Sequence, residues 1–563
     1  MQFVNRYWVF LTSLFLLCYL LVFSLHGFDL TDEGYVLYSY QNFFESPQSV
    51  VYAFGMYLTV FVGGLWEMIF GDGGWYSFRV FNSVIIVMAY VFICFLLKKY
   101  WNFKWVIFLS FFIVVMNMNI DHGTLVFHYY TFSGFTNTMI GCLIYKGFEK
   151  NSQRIVFLSS VLLGLNIFVR IPNLTLCAIP YAMLFVSYFY EKNRQKVLRG
   201  FIAITMGLLT GIFAIGALIY SLGHSDLIIN KLLELSNIAQ DPTDGHGITS
   251  MLKVTFVHLK SIVAYMAIFF LVFKSLFFLL RKSKQTFLLR SVLLTFAICF
   301  PIVAYYFLPT LIHPLSPRMT FLISCAYCMM AYAAYENKGN KHVIYLVTIF
   351  FLISVLQPLG SDWGIGNMGA YSIWGLMVVS FTLFLVTISR KGDLPRFLSR
   401  SAIYAAIALL LISFGKNCYS YCYRDDGYRF AKTYRIKSSP LATVRTSVER
   451  GEEMDALIKE CNKYMKSGDV VLFASDMPGM HYLTKTKAWL GNPWPMLKGA
   501  NYLQEQFAKN EQGKHFVIVE RKPQIFNNSI KMHYLSNLAV VHQYIQRNNY
   551  DMVWCSENYR IYK

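Results

Sequence analysis

Charge is what this chain has least of. Only 14% of its 563 residues are Asp, Glu, Lys or Arg, against 56% hydrophobic and 18% aromatic. A surface that meets water on every side needs more polar cover than that, so a soluble globular protein is excluded. Acids are the scarcer sign, 30 against 50 bases, for a net charge of +20. The bases sit in short connectors between apolar runs and build no continuous basic face, which argues against a nucleic-acid partner. Also missing are a nucleophile elbow, an H-E-x-x-H motif and a Cys/His/Asp grouping, so no hydrolase is indicated. No internal repeat, low-complexity run or Gly/Ser linker is present. The eleven cysteines lie mostly in apolar runs, where a cysteine is by default a small buried hydrophobe. Cys325-Ala-Tyr-Cys328 has zinc-like spacing but no second pair, and Cys418 and Cys422 could pair in an oxidising compartment.

What is present is apolar length. Windows of about 17–25 apolar residues, enough to cross a bilayer, recur from Tyr7 to about Gly415 and then stop. They predict about thirteen spans, at about 7–25, 78–97, 104–120, 132–147, 154–169, 172–190, 199–222, 257–280, 288–308, 318–335, 341–356, 370–389 and 399–416. Arg6 and the apolar run after it resemble a signal peptide, but no small-x-small cleavage site follows, and the run reads as a retained helix. Alternate connectors are basic: Lys98, Lys99 and Lys104; Lys146, Lys150 and Arg154; Lys192, Arg194, Lys196 and Arg199; then Arg281 to Arg290, Lys338 and Lys341, and Arg390 to Arg400. The asymmetry, roughly four to one, puts the N-terminus inside the cell and the first loop outside. The run Val51 to Phe70 is long enough to span, but counting it would reverse every later loop; it reads as one or two helices along the outer surface.

Beyond about Asn417 the pattern changes. Helical periodicity over Glu449 to Met465, about 496–509 and about 528–548 alternates with strand-like runs at 469–474, 515–519 and 550–562. The expected architecture is a polytopic α-helical membrane protein of about thirteen transmembrane helices over 1–416, with 26–77 as a first external loop. An extracytoplasmic α/β domain follows over 417–563.

The densest chemistry is Phe28-Asp29-Leu30-Thr31-Asp32-Glu33-Gly34-Tyr35, just after the first span, in a stretch with no Lys or Arg between His26 and Phe78. Carboxylates are costly in hydrocarbon, so this cluster belongs at the membrane surface or in a wet cavity there. One carboxylate would take the proton of an attacking hydroxyl while its neighbour positions it; the plainer reading is that Asp29 or Asp32 caps a helix starting near Glu33. A second external connector, Asn119-Ile-Asp121-His122-Gly123, offers another carboxylate with a hydrogen-bonding or metal-binding His, or a capping turn. Arg170, fixed between two spans by Pro172, and Arg318, after Ser316-Pro317, are outer cations able to hold a phosphate or to anchor the interface. The loop Gln357-Pro-Leu-Gly-Ser-Asp362-Trp-Gly-Ile-Gly-Asn367 lacks a Walker Lys-Ser/Thr ending, and Asp362 in it is a candidate for contact with a sugar or lipid. Asn492-Pro-Trp-Pro495 is a rigid aromatic turn.

With Asp32-Glu33 after the first span, Arg79 opening the second, Asp121 in the second external loop and Arg170-Ile-Pro-Asn173, the chain resembles the GT-C superfamily of integral-membrane glycosyltransferases over roughly residues 1–400. The resemblance is to bacterial relatives of protein O-mannosyltransferases and of the lipid A aminoarabinose transferase. It implies a hexosyl- or pentosyltransferase of the bacterial cytoplasmic membrane that uses a polyprenyl phosphate-linked sugar and acts on the outer face. The acceptor would be a lipid, a glycan or a protein. Asp32 matches the family's catalytic carboxylate, with Glu33 beside it, and Asp121 matches the second-loop acid by position. Arg170 and Arg318 would meet the donor phosphate, and His122 and Asp362 the substrate. No Asp-x-Asp stands in the first loop, which weakens a divalent-metal requirement, and Gly34-Tyr35 replaces the Arg that usually follows the acidic pair. An envelope-polysaccharide ligase or polymerase and a secondary transporter are the competing readings; the first-loop Asp-Glu disfavours the former, and the surface position of the acids and the absence of a repeated half disfavour the latter. Reporter fusions after Lys282 and after Lys437 should give opposite sidedness; the same side for both would overturn the thirteen-span topology.

Overall fold

The computed structural model describes residues 7–121, 126–240, 248–282, 317–359, 364–390, 393–419, 421–422, 424–497, 500–509, 516–521 and 528–563. The apolar runs are helices: α1 Trp8–Phe23, α4 Gly74–Leu96, α5 Lys104–Asp121, α6 Tyr129–Glu149, α7 Gln153–Val169, α8 Ala178–Glu191, α9 Arg194–Ser221 and α11 Ile248–Lys282. Further along come α12 Pro317–Glu336, α13 Lys341–Leu356, α14 Gly364–Ser389 and α15 Asp393–Tyr419. Among the described residues, five helical stretches are long and apolar enough to cross a membrane by length and composition, and shorter apolar helices accompany them. The expected span at about 288–308 lies outside the described residues.

Some polar side chains in these helices pair across the bundle. Thr12 in α1 bonds Tyr90 of α4 at 2.9 Å. The sequence Gly207-Leu-Leu-Thr-Gly211 lets α9 lie directly on α7: a Cβ at Gly211 would stand 2.2 Å from the Val161 carbonyl oxygen. At one end of the bundle several of the basic connectors gather. Lys99 donates to Tyr145 at 2.6 Å, Lys146 to Glu149 at 2.6 Å and Lys341 to Glu191 at 3.0 Å, with Lys196 on the same Glu191.

The opposite end carries the first loop, which is more structured than expected. It holds α2 Asp32–Asn42, a 3-10 turn Pro47–Met56 and α3 Tyr57–Phe70. Met68 and Ile69 at the end of α3 are each 70% exposed. Another helix that the sequence left unassigned, α10 Ser225–Gln240, follows α9.

The C-terminal region begins with two small hairpins, β1 Tyr421–Cys422 with β2 Asp425–Tyr428 and β3 Tyr434–Arg435 with β4 Arg445–Thr446. After α16 Val448–Tyr464 comes a five-stranded sheet of β5 Val470–Ala474, β6 Lys487–Ala488, β7 Val517–Arg521, β8 Met552–Cys555 and β9 Tyr559–Tyr562, in the order β6-β5-β7-β9-β8. The first three run parallel and the last two antiparallel. The run read as one strand at 550–562 is therefore two strands and a turn. Side chains alternate across the sheet. Leu472, Ala474 and Ile518 join a core under α18 Ala500–Lys509 and α19 Asn528–Arg547, while Val471, Phe473 and Val519 join the core that continues into the helical bundle. The short helix α17 Gly479–Thr484 lies on that second face.

The hairpins are sewn to the end of α1. Arg445 N–H donates to Leu25 O and Gly27 N–H to Arg445 O, both at 2.7 Å. Cys418 and Cys422 are free thiols rather than a disulfide, and Cys422 Sγ lies 3.3 Å from the His26 carbonyl. His26 is 6% exposed with Phe430 against its ring, and burial beside Arg445, Arg429 and Arg79 pushes its pKa down to about 4. A His whose folded pKa falls below its unfolded value of about 6.5 contributes stability above that value and loses it as pH drops toward 4. Trypsin cleavage after residue 417 should therefore accelerate between pH 6.5 and 4 at fixed enzyme activity, and His26→Gln should flatten the change. An equally steep profile in the variant would remove His26 from the seam's stability.

Candidate active site

The three acids of the cluster at 29–33 lie close in sequence and do different things in space: Asp29 precedes α2, and Asp32 and Glu33, successive residues within it, point about 100° apart. Asp29, 2% exposed, caps α2: its oxygens accept from the backbone N–H of Thr31 and Asp32 at 2.8 Å and of Glu33 at 3.2 Å. The capping role that the sequence offered to Asp29 or Asp32 thus falls to Asp29. Glu33, 1% exposed, turns inward. Its Oε2 accepts from Arg79 Nη2 and Trp75 Nε1, each at 2.7 Å, and from Asp29 N–H at 3.2 Å; its Oε1 accepts from Val126 N–H at 3.2 Å. Arg79 Nη1 in turn donates to the Ser24 carbonyl at 2.7 Å. Glu33 thereby ties the end of α1, the start of α2, the second turn of α4 and the chain entering α6 to one point. So fully engaged a carboxylate braces the first loop against the bundle.

Asp32 is the acid that faces outward. Its side chain is 32% exposed, and its Oδ2 lies 3.8 Å from Arg424 Nη2. The absence of Lys and Arg near the cluster in sequence is undone by folding, which brings Arg79 beneath it and Arg424 beside it. Asp425, next to Arg424, is fully buried and accepts from Phe28 N–H at 3.1 Å, Lys432 at 2.8 Å and Thr446 at 2.9 Å, with Arg450 at 3.3 Å. The first loop is held to the C-terminal region by this second carboxylate hub, which sequence reading missed. A carboxylate flanked by Arg424 and later Lys432 in a nonperiodic stretch was the available signal.

The fit between the two regions also explains Gly34. A Cβ there would stand 2.3 Å from Gly479 Cα, and one at Gly479 would stand 3.0 Å from Gly34 Cα. Gly479 N–H donates to the Leu30 carbonyl at 2.7 Å. An arginine after the acidic pair has no room here.

Arg170 stands between α7 and the 3-10 turn Ile171–Cys177, its guanidinium 5.5 Å from the Tyr129 ring and 5.9 Å from the Tyr130 ring. Among the described residues its buried Nη1 meets no hydrogen-bond acceptor. His128, 5% exposed, stacks on Tyr130; burial, with Arg170 nearby, pushes its pKa down to about 3 and keeps it neutral. Because Val126 bonds Glu33 and the Phe127 carbonyl accepts from Tyr40, Arg170 belongs to the layer next to the acidic loop. Asp121 ends α5 and Arg318 lies in the first turn of α12, but their side chains fall outside the described residues. His122 and Asp362 lie outside them altogether. Among the described residues no three His, Cys, Asp or Glu side chains group as a metal site, and Asp29 and Glu33 are already engaged. The described donors do not fit a divalent ion.

Replacing one partner of a buried pair strands the other charge, at a cost of about 3–5 kcal/mol, whereas replacing both by apolar residues costs less. Arg79→Met and Glu33→Leu alone should each lower the midpoint of thermal unfolding in detergent more than the double variant does. Additive losses in the double variant would show that the two side chains are not coupled.

No family model matches the chain, and no curated protein matches it. Among solved structures, the Archaeoglobus fulgidus oligosaccharyltransferase in its apo form aligns over 92% of this chain and 70% of that one, at 11% identity and a TM-score of 0.45. A likeness this faint fixes neither fold nor activity.

Proposed function

We propose that this chain is a membrane glycosyltransferase that moves a sugar from a polyprenyl phosphate-linked donor to a hydroxyl acceptor. The reaction takes place at the acidic end of the bundle, on the outer face of the bacterial cytoplasmic membrane. The observation that carries this reading is the division of labour in the first loop. Asp29 and Glu33 are consumed in capping and bracing, and Asp32 is presented on a rigid helix at the mouth of an apolar bundle with 32% of its side chain exposed.

The chemistry needs little more. As the acceptor oxygen bonds to the anomeric carbon, its proton passes to the Asp32 carboxylate. The bond from that carbon to the phosphate oxygen breaks, and its electron pair leaves on polyprenyl phosphate. Arg170, whose buried Nη1 meets no acceptor among the described residues, takes the phosphate charge, and Arg318 is assigned the same task. Asp121 shapes the site, and His122 and Asp362 line the substrate. Apolar helices let the polyprenyl tail approach from the lipid while the acceptor enters from water.

Asp32→Asn keeps size and hydrogen bonding but removes basicity, and loss of a general base costs about 10²–10⁴-fold in rate. In proteoliposomes given a panel of radiolabelled undecaprenyl phosphate sugars, with lipid, glycan and protein fractions separated afterwards, this variant should bind donor yet transfer at that reduced rate. Near-native turnover at matched expression would retire Asp32 as the base.

A further inference from the structure

The C-terminal region brings partly exposed groups to Asp32 from far down the chain. Arg424 Nη2 lies 3.8 Å from Asp32 Oδ2, and Arg424 Nη1 lies 4.0 Å from Asp476 Oδ2. These three side chains are 27–32% exposed, whereas the nearby pairs Glu33–Arg79 and Asp425–Lys432 are at most 2% exposed. Substrate can reach the first set and not the others. Both distances exceed a direct hydrogen bond, and such a pair stabilises a fold by at most about 1 kcal/mol.

Its members are nevertheless held from behind. Asp476 Oδ1 accepts from Trp494 Nε1 at 2.9 Å, and the Asp476 carbonyl accepts from Thr31 Oγ1 at 3.2 Å. Trp494, from the rigid Asn-Pro-Trp-Pro turn, is 6% exposed and meets Tyr35 of α2 edge-on at 6.0 Å. The Arg424 guanidinium lies 5.6 Å from the Trp494 ring, and the Arg424 carbonyl accepts from Arg450. Arg424 has φ +53° at the turn between β1 and β2, a left-handed conformation that Gly or Asn adopts at less cost. Asp476 follows β5, at the C-terminal end of a parallel strand, where open α/β sheets place ligand-binding groups.

We propose that the C-terminal region supplies the acceptor half of the transfer site: Asp476 receives a hydrogen bond from a second hydroxyl of the acceptor, while Asp32 takes the proton of the reacting one. Arg424 is a positioning residue that keeps the two carboxylates facing each other. Two carboxylates offer acceptor atoms only, and each takes an O–H donor. The site therefore selects an acceptor with neighbouring hydroxyl groups, a sugar on a glycan or glycolipid, over the single hydroxyl of a protein Ser or Thr. This inference rests on the glycosyl-transfer reading above.

The test uses the full chain in proteoliposomes, the panel of radiolabelled undecaprenyl phosphate sugars as donors and an envelope glycolipid extract as acceptor, with transfer and donor hydrolysis measured separately. Asp476→Asn retains an oxygen for Trp494 Nε1, so the tether persists and the tryptic pattern should match the native protein. Loss of a charge-assisted hydrogen bond should raise the apparent KM for the glycolipid about 10–100-fold, with donor KM and donor hydrolysis unchanged. Arg424→Lys should retain more transfer than Arg424→Ala. A native acceptor KM in Asp476→Asn, or label found only in the protein fraction, would overturn the inference while leaving glycosyl transfer standing. A native protein that neither transfers nor hydrolyses any donor would instead bring down the glycosyl-transfer reading, and this inference with it.

Discussion

The Glu33–Arg79 ion pair is the constraint on which the acidic end of this molecule depends. Two charges at 2.7 Å, each at most 2% exposed, are tolerable in an apolar bundle only when their remaining donors and acceptors are also engaged. Here the backbone of α1, the indole of Trp75 and the chain entering α6 do that work. The first loop, long and without a basic residue of its own, takes its charge balance from a helix that follows it. Its position over the bundle is therefore fixed by electrostatics as much as by packing. Asp32 inherits its orientation from this arrangement, since it is the next residue on a helix whose other acid cannot move.

The second carboxylate hub, at Asp425, repeats the device at the seam with the C-terminal region. Phe28 N–H, Lys432, Thr446 and Arg450 converge on a side chain with no exposure. Arg450 also reaches back to the Phe28 carbonyl at 3.1 Å and lies 4.3 Å over the Phe28 ring. Between the two hubs, Gly34 and Gly479 touch backbone to backbone. The C-terminal region is thus clamped on both sides of Asp32, which is why Arg424 arrives beside it, with Asp476 near the same guanidinium.

Much of the fold was legible because it follows from periodicity and length. Among the described residues the long apolar runs became helices, most of them close to their expected ends, although α11 begins well before residue 257 and the run at 172–190 opens as a 3-10 turn. Several of the basic connectors met at one end of the bundle. Alternating helices and strands beyond Asn417 became an α/β sheet. What escaped notice were short elements with weak periodic signals: the two hairpins at 421–446, the two-residue strand Lys487–Ala488 and the division of the last strand in two; α10, a 16-residue amphipathic helix, was missed for a different reason, being too polar on one face to read as a span. The short elements are stabilised by contacts with distant residues rather than by local propensity, as Arg445 shows by bonding both Leu25 and Gly27.

The site divides along the same line. By itself the sequence determined that carboxylates cluster after the first apolar helix, and that Arg170 is held at a helix boundary by Pro172. These are statements about neighbours along the chain, and burial cost alone makes them. Only the tertiary structure decided which acid does what. Asp29, Asp32 and Glu33 carry the same functional group within five positions, and nothing local distinguishes a cap, an exposed carboxylate and a buried anchor. The distinction comes from which cations lie nearby in space, Arg79 from the following helix and Arg424 from the far end of the chain. Charge acts through distance, and sequence separation does not measure it.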